Sequence, residues 1–299
     1  MRQSESCDHG LRPWHGVVGA VAGMAAAQVA GAVTAVAYLV GRAVAAGDVT
    51  SDAITRGATS PGFLLAAGLP TEAVLLGAAV VTVWLRRAPL CRTLGWVGAP
   101  WPAYAAAICA TLGVGQYAGL LAWAMRRWAP HLTFGTLDFM EQQIRSTPWV
   151  VLVLGLAVVP GFCEELLFRG LLQRALGSRW WAIVVASVAF GAYHLDPHHV
   201  LPTVLLGLTF GWLAARTGAT DVAIVAHVVN NLAAVTLPRL IPSSMDEPPS
   251  GIALAAGAAL FGVALIIVRR WVPHRPRDER VAPSNESSSS VDDSARRQQ

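Results

Sequence analysis

Residues 150–177 read VVLVLGLAVVPGFCEELLFRGLLQRALG. A helix needs roughly 20 predominantly apolar residues to cross a bilayer, and this stretch exceeds that length while carrying Glu164, Glu165 and Arg169 in its second half. Seven further apolar runs flank it, at residues 17–40, 62–85, 103–125, 180–195, 200–215, 221–237 and 252–268. With the central run taken from residue 147 to 177, the sequence predicts an all-α, polytopic membrane protein of about eight spans. The first run follows Arg2 and Arg12, as a secretory signal would, but it exceeds the apolar core of a cleaved signal and reads as a retained helix. Trp101, Trp149, Trp180, Trp181 and Trp271 fall at span ends, where indole rings favour the lipid–water interface.

Composition agrees. Hydrophobic residues make up 54% of the 299-residue chain and charged residues 13%, about half the share of an average soluble domain. Too few charges remain to coat a soluble surface of this size, which argues against a cytosolic enzyme, a nucleic-acid binder or a disordered chain. All 22 basic residues are Arg, a usage expected of a GC-rich, bacterial genome. They concentrate at the N-terminus, after the second span, in the hairpin after the fourth and at the C-terminus, so the positive-inside rule predicts a cell-membrane protein with both termini cytoplasmic. Cys7, Cys91, Cys109 and Cys163 show no metal-type spacing.

The chain divides into a polar N-terminal tail (1–16), three spans (17–146), a chemically distinctive core (147–237), a loop with the last span (238–272) and a polar, disordered C-terminal tail (273–299). Prolines 238, 242, 248 and 249 argue against a helix throughout 237–251.

Charges inside membrane helices are costly and mark functional sites by default. Glu165 and Arg169 stand i,i+4 on one helical face and can pair. Glu164 points about 100° away with no local partner, and is a candidate general base. Pro160, four residues earlier, removes a helical hydrogen bond and can open the helix beside the acid. If the chain turns at Gly177, Glu164 lies 13 residues before the turn and His194 17 after it, so an antiparallel pair brings them to depths about 6 Å apart. His227 and Asn231, again i,i+4, project from one face of a third helix. Polar pairs of that kind commonly serve as interhelical glue. Beside a carboxylate and a histidine, they also resemble the donors of a hydrolytic site. His194, His198 and His199, with Glu164, offer a weaker zinc alternative, although no HExxH helix is present. The turn Asp196–His199 otherwise reads as a polar interfacial one. Gln28, Glu72 and Gln116 read as packing or cavity-lining residues, and Glu72, near Pro70, has no evident partner.

The ordered set Glu164-Glu165-x-x-x-Arg169, Phe190-x-x-x-His194 and His227-x-x-x-Asn231 on separate hydrophobic helices resembles the CAAX-processing and bacteriocin-processing membrane endopeptidases (the CPBP or Abi family, type II CAAX prenyl endopeptidase-like). The resemblance spans about residues 160–237. It implies an eight-helix, glutamate-dependent intramembrane protease in which Glu164 and His194 activate a water, His227 and Asn231 stabilise the oxyanion, and Glu165, Arg169 and Phe190 support them. It further implies a membrane peptide or protein substrate, no nucleic-acid partner and no cofactor, with zinc the less favoured possibility; the oligomeric state is left open. Two other classes fit the same intramembrane charges: a non-catalytic scaffold or bacteriocin immunity protein, and a proton-coupled transporter, for which no repeat between halves is visible.

Overall fold

The computed structural model describes residues 11–241 and 247–273. The expected polar tails therefore lie largely outside the described residues, as do Cys7 and Pro242. Among the described residues the secondary structure is helical, with no strand. The helices are α1 (Pro13–Ala46), α2 (Ser51–Ala58), α3 (Pro61–Leu85), α4 (Leu90–Thr93), α5 (Trp101–Trp128), α6 (Thr136–Ser146), α7 (Trp149–Leu176), α8 (Trp180–Tyr193), α9 (Pro197–Thr217), α10 (Thr220–Leu240) and α11 (Gly251–Trp271).

Seven of these, α1, α3, α5, α7, α9, α10 and α11, are long and apolar enough to cross a membrane. The eighth expected span is α8, whose 14 residues extend only about 21 Å, short of a hydrocarbon core about 30 Å thick. Outward-facing Val18, Val21, Val29, Val33 and Val36 of α1 are exposed, an apolar surface suited to lipid. The Pro-rich connection is, as expected, not helical throughout: α10 ends at Leu240 and α11 starts at Gly251, and Pro238, two residues from the helix end, displaces little of the hydrogen-bond ladder.

Local chemistry sets the helix ends. Ser60 caps α3, its hydroxyl accepting from the Phe63 amide, with Pro61 in the first turn. Gly177 closes α7 at φ 115° and ψ −168°, a region accessible essentially to glycine. The chain reverses there, and α8 starts three residues later.

Helix α7 is the centre of the bundle. Residues 163–173 are buried without interruption, and α1, α3, α8 and α10 all pack on it. Its side chains reach the backbone of α9: Arg169 NH2 donates to the Gly207 carbonyl at 3.0 Å and Gln173 Nε2 to that of Gly211 at 2.9 Å. Equal i,i+4 spacing on both helices makes this a two-point clamp. Around Pro160, α7 widens into π-helical turns at Val153–Val158 and Leu166–Gln173. Such turns occur where the i→i−4 ladder is disturbed, frequently at functional sites.

Candidate active site

One cavity of about 310 Å³ gathers side chains from six helices. Glu164 of α7, His194 at the end of α8, His199 of α9, and His227, Asn230 and Asn231 of α10 line it. So do Glu72 of α3 and Thr136, Met140 and Ile144, one face of α6. The four residues expected to be catalytic thus share one chamber, and Phe190 forms part of its wall. Gly161 permits this assembly, since a Cβ there would lie 2.7 Å from Val228 Cγ2 and 3.1 Å from the Val228 amide nitrogen.

Glu165 and Arg169 sit behind the wall, both fully buried. Arg169 NH1 donates to Glu165 Oε1 at 2.5 Å, the pairing expected from their spacing. The same oxygen accepts a hydrogen bond from His227 Nδ1 at 2.9 Å, a contact across 62 residues that helical periodicity does not reveal. Phe190 and Phe210 enclose the group: the Arg169 guanidinium lies 4.4 Å and 5.5 Å from their ring centroids, and Phe210 stacks on His227 at 5.2 Å. Held from behind through Nδ1, His227 turns Nε2 toward Glu164 Oε2, 3.8 Å away.

Backbone carbonyls fix two more side chains. His194 Nδ1 lies 2.9 Å from the Phe190 carbonyl; a carbonyl only accepts, so Nδ1 carries the proton. Asn231 Nδ2 donates to the Leu156 carbonyl at 2.9 Å. Leu156 lies four residues before Pro160, and its carbonyl is the one that Pro160 leaves without an α-helical donor. The proline therefore anchors the asparagine as well as opening the helix. Asn230 Nδ2 donates to Asn231 Oδ1 at 3.1 Å, so both ends of the Asn231 amide are held.

The turn after His194 divides its residues between framework and cavity. Leu195 adopts φ 63°, a left-handed conformation uncommon for a residue with a branched side chain. Buried Asp196 caps α9 through His198 N and accepts from Thr133 Oγ1, Phe134 N and Thr136 N at 3.0–3.1 Å. Burial alone pushes its carboxyl up, but these four donors outweigh it and hold the pKa below the usual carboxylate range. His198 Nε2 donates to the Ala129 carbonyl at 2.8 Å and does not line the cavity, whereas His199 packs edge-on to His194, with ring centroids 4.4 Å apart. The three histidines of the zinc alternative are thus not brought together. No set of three His, Cys, Asp or Glu among the described residues is arranged to hold a metal ion.

Glu72 and Asn230 are the cavity residues whose part is not read from spacing alone. Glu72 brings a second buried carboxyl to the cavity that Glu164 lines. Its sequence signal was a lone carboxylate in an apolar helix; the signal for Asn230 was its adjacency to Asn231.

Two comparisons bear on this segment. The model of a family described as type II CAAX prenyl endopeptidase Rce1-like matches residues 146–233. A Bacillus subtilis (strain 168) protein named "Putative membrane peptidase YdiL" is 34% identical over 91 residues, 29% of this chain and 36% of that protein. The match spans about a third of that relative's length. No solved structure is a significant match to the chain. The Rce1-like segment begins just before α7 and ends within α10, so it contains Glu164, Glu165, Arg169, Phe190, His194, His227 and Asn231.

Proposed function

We propose that the chain is an intramembrane endopeptidase that hydrolyses a peptide bond of a membrane-associated peptide or protein. The observation that carries the reading is the convergence of Glu164, His194, His227 and Asn231 from three helices of the Rce1-like segment on one cavity. Peptide hydrolysis needs a base for water and donors for the developing oxyanion. Glu164 takes a proton from water, which also donates to the free Nε2 of His194. Oxygen then bonds to the carbonyl carbon as its oxygen gains charge. Asn231, with one Nδ2 hydrogen committed to Leu156, offers the other to that oxygen. His227 offers Nε2–H when both ring nitrogens carry protons, because Nδ1 donates to Glu165. The proton held by Glu164 passes to the amine as the carbon–nitrogen bond breaks.

No metal enters this mechanism, since His198 commits Nε2 to Ala129 and the three histidines do not converge. The chain sits in a bacterial cell membrane with both termini cytoplasmic in this reading. Membranes of a Glu164→Gln strain and its parent, compared by quantitative proteomics, test it. An uncleaved precursor accumulates in the variant, and in His194→Gln as well. Normal processing in both stably folded variants rejects the reading, and activity abolished by a chelator and restored by Zn²⁺ rejects its metal-free form.

A further inference from the structure

Glu72 stands 92 residues before Glu164 and outside the Rce1-like segment. It is buried in α3, lines the same cavity and keeps Oε2 without a hydrogen-bond partner, as does Glu164. The two buried carboxyls share one cavity, each with an oxygen left unsatisfied. A carboxylate only accepts, so two carboxyls in one cavity can hydrogen-bond to each other only when one of them carries a proton. The titratable and charged groups facing Glu164 are Glu72 from α3, Glu165 and Arg169 from α7, His194 after α8, His199 from α9 and His227 from α10. The Cys163 thiol and the Tyr193 hydroxyl lie close by. Arg169 is committed to Glu165 and Gly207, and Glu72 is the carboxyl that joins Glu164 in the cavity from a separate helix.

We propose that Glu72 is a positioning residue that shares one proton with Glu164 and fixes which Glu164 oxygen faces water. This rests on the reading of Glu164 as the base. Before reaction the pair holds one proton. Glu164 takes a second from water as the hydroxyl oxygen bonds to the carbonyl carbon. That proton goes to the leaving nitrogen as the carbon–nitrogen bond breaks, and the pair returns to one proton. Glu72 thus keeps a proton in the pair throughout, without contacting the substrate.

The test uses the full chain in phosphatidylcholine–phosphatidylglycerol vesicles treated with dicyclohexylcarbodiimide, which adds to protonated carboxyls in apolar surroundings. Peptide mass spectrometry reads labelling at Glu164 and at Glu72 as a function of pH. In Glu72→Gln, which keeps the shape and a hydrogen-bond donor, the labelling profile of Glu164 is displaced by about one pH unit or more, the scale of two carboxyls sharing a site. In Glu164→Gln the profile of Glu72 is displaced likewise. A merely structural Glu72 leaves the Glu164 profile in place, and unchanged profiles in whichever variant folds overturn the inference. Labelling needs no substrate. Unchanged profiles with cleavage lost in Glu164→Gln sink this inference alone, whereas displaced profiles with normal processing sink the protease reading.

Discussion

His227 Nδ1 donates to Glu165 Oε1 at 2.9 Å, and the same oxygen takes Arg169 NH1 at 2.5 Å. One buried oxygen thus ties α10 to α7, and the two adjacent glutamates have separate tasks: Glu164 faces the cavity and Glu165 pins the histidine that stands beside it. Removing one partner of a buried ion pair strands the other charge, at a cost of roughly 3–5 kcal/mol. Glu165→Ala is therefore expected to destabilise the bundle by about that amount in reversible SDS unfolding. Glu165→Leu combined with Arg169→Leu, which strands no charge, costs less than the sum of the two single changes. Additive losses would show that the two buried charges do not stabilise each other.

The close contact at Gly161 makes a second prediction. A Cβ at that position meets both the side chain and the backbone of Val228. Gly161→Ala must push α7 and α10 apart, and overpacking of this kind costs about 1–3 kcal/mol. Val228→Ala removes Cγ2 but leaves the amide nitrogen, so it restores only part of the loss. Full rescue, or no loss in the single variant, would mean that the helices are not constrained there.

Asp196 gives a pH dependence outside the spans. A carboxyl whose folded pKa lies below its unfolded value contributes stability above the unfolded value and loses it as pH falls through the folded one. Asp196 is such a group, lowered from 3.8 by the donors of Thr136, His198, Thr133 and Phe134 against the opposing effect of burial. The segment Thr133–Thr136 is expected to stay clasped at neutral pH and to loosen as pH falls below about 4. Limited digestion with pepsin across that range reads the step, and Asp196→Asn flattens it. At neutral pH, where chymotrypsin replaces pepsin, weakening of these charge-assisted bonds raises cleavage at the segment in the variant. An acid step that persists in Asp196→Asn assigns it to another carboxyl.

What the sequence made legible follows from what helical periodicity encodes. The i,i+4 pairing of Glu165 with Arg169 is local, and it is present. The approach of Glu164 and His194 to one cavity followed from counting residues on either side of Gly177. Contacts between helices distant in sequence were not legible, because periodicity gives the faces of a helix but not their partners. The hydrogen bond of His227 to Glu165 and the cavity shared by Glu72 and Glu164 are of this kind. The Leu156 carbonyl awaiting Asn231 was half legible: Pro160 announced a carbonyl without its donor, but not which side chain would supply one. The helix α8 falls where the run 180–195 was read, two residues shorter, whereas the amphipathic α6 was not read at all. Bounds of an apolar run locate a helix in lipid poorly, and α6 lacks the hydropathy by which spans were found.

Asn230 supplies the last prediction. It donates to Asn231 Oδ1, while Asn231 Nδ2 is tied to Leu156. The amide of Asn231 can then present its second Nδ2 hydrogen to the cavity in only one orientation. Removing an oxyanion donor outright costs about 10²–10³ in kcat, the expectation for Asn231→Leu. Asn230→Ala leaves the donor present but frees it to rotate, so kcat should fall by roughly tenfold with KM little changed, the mark of an interaction made in the transition state. Asn230→Gln, whose longer amide can still donate to Oδ1, should recover part of the rate. A rise in KM at constant kcat would instead assign Asn230 to substrate binding.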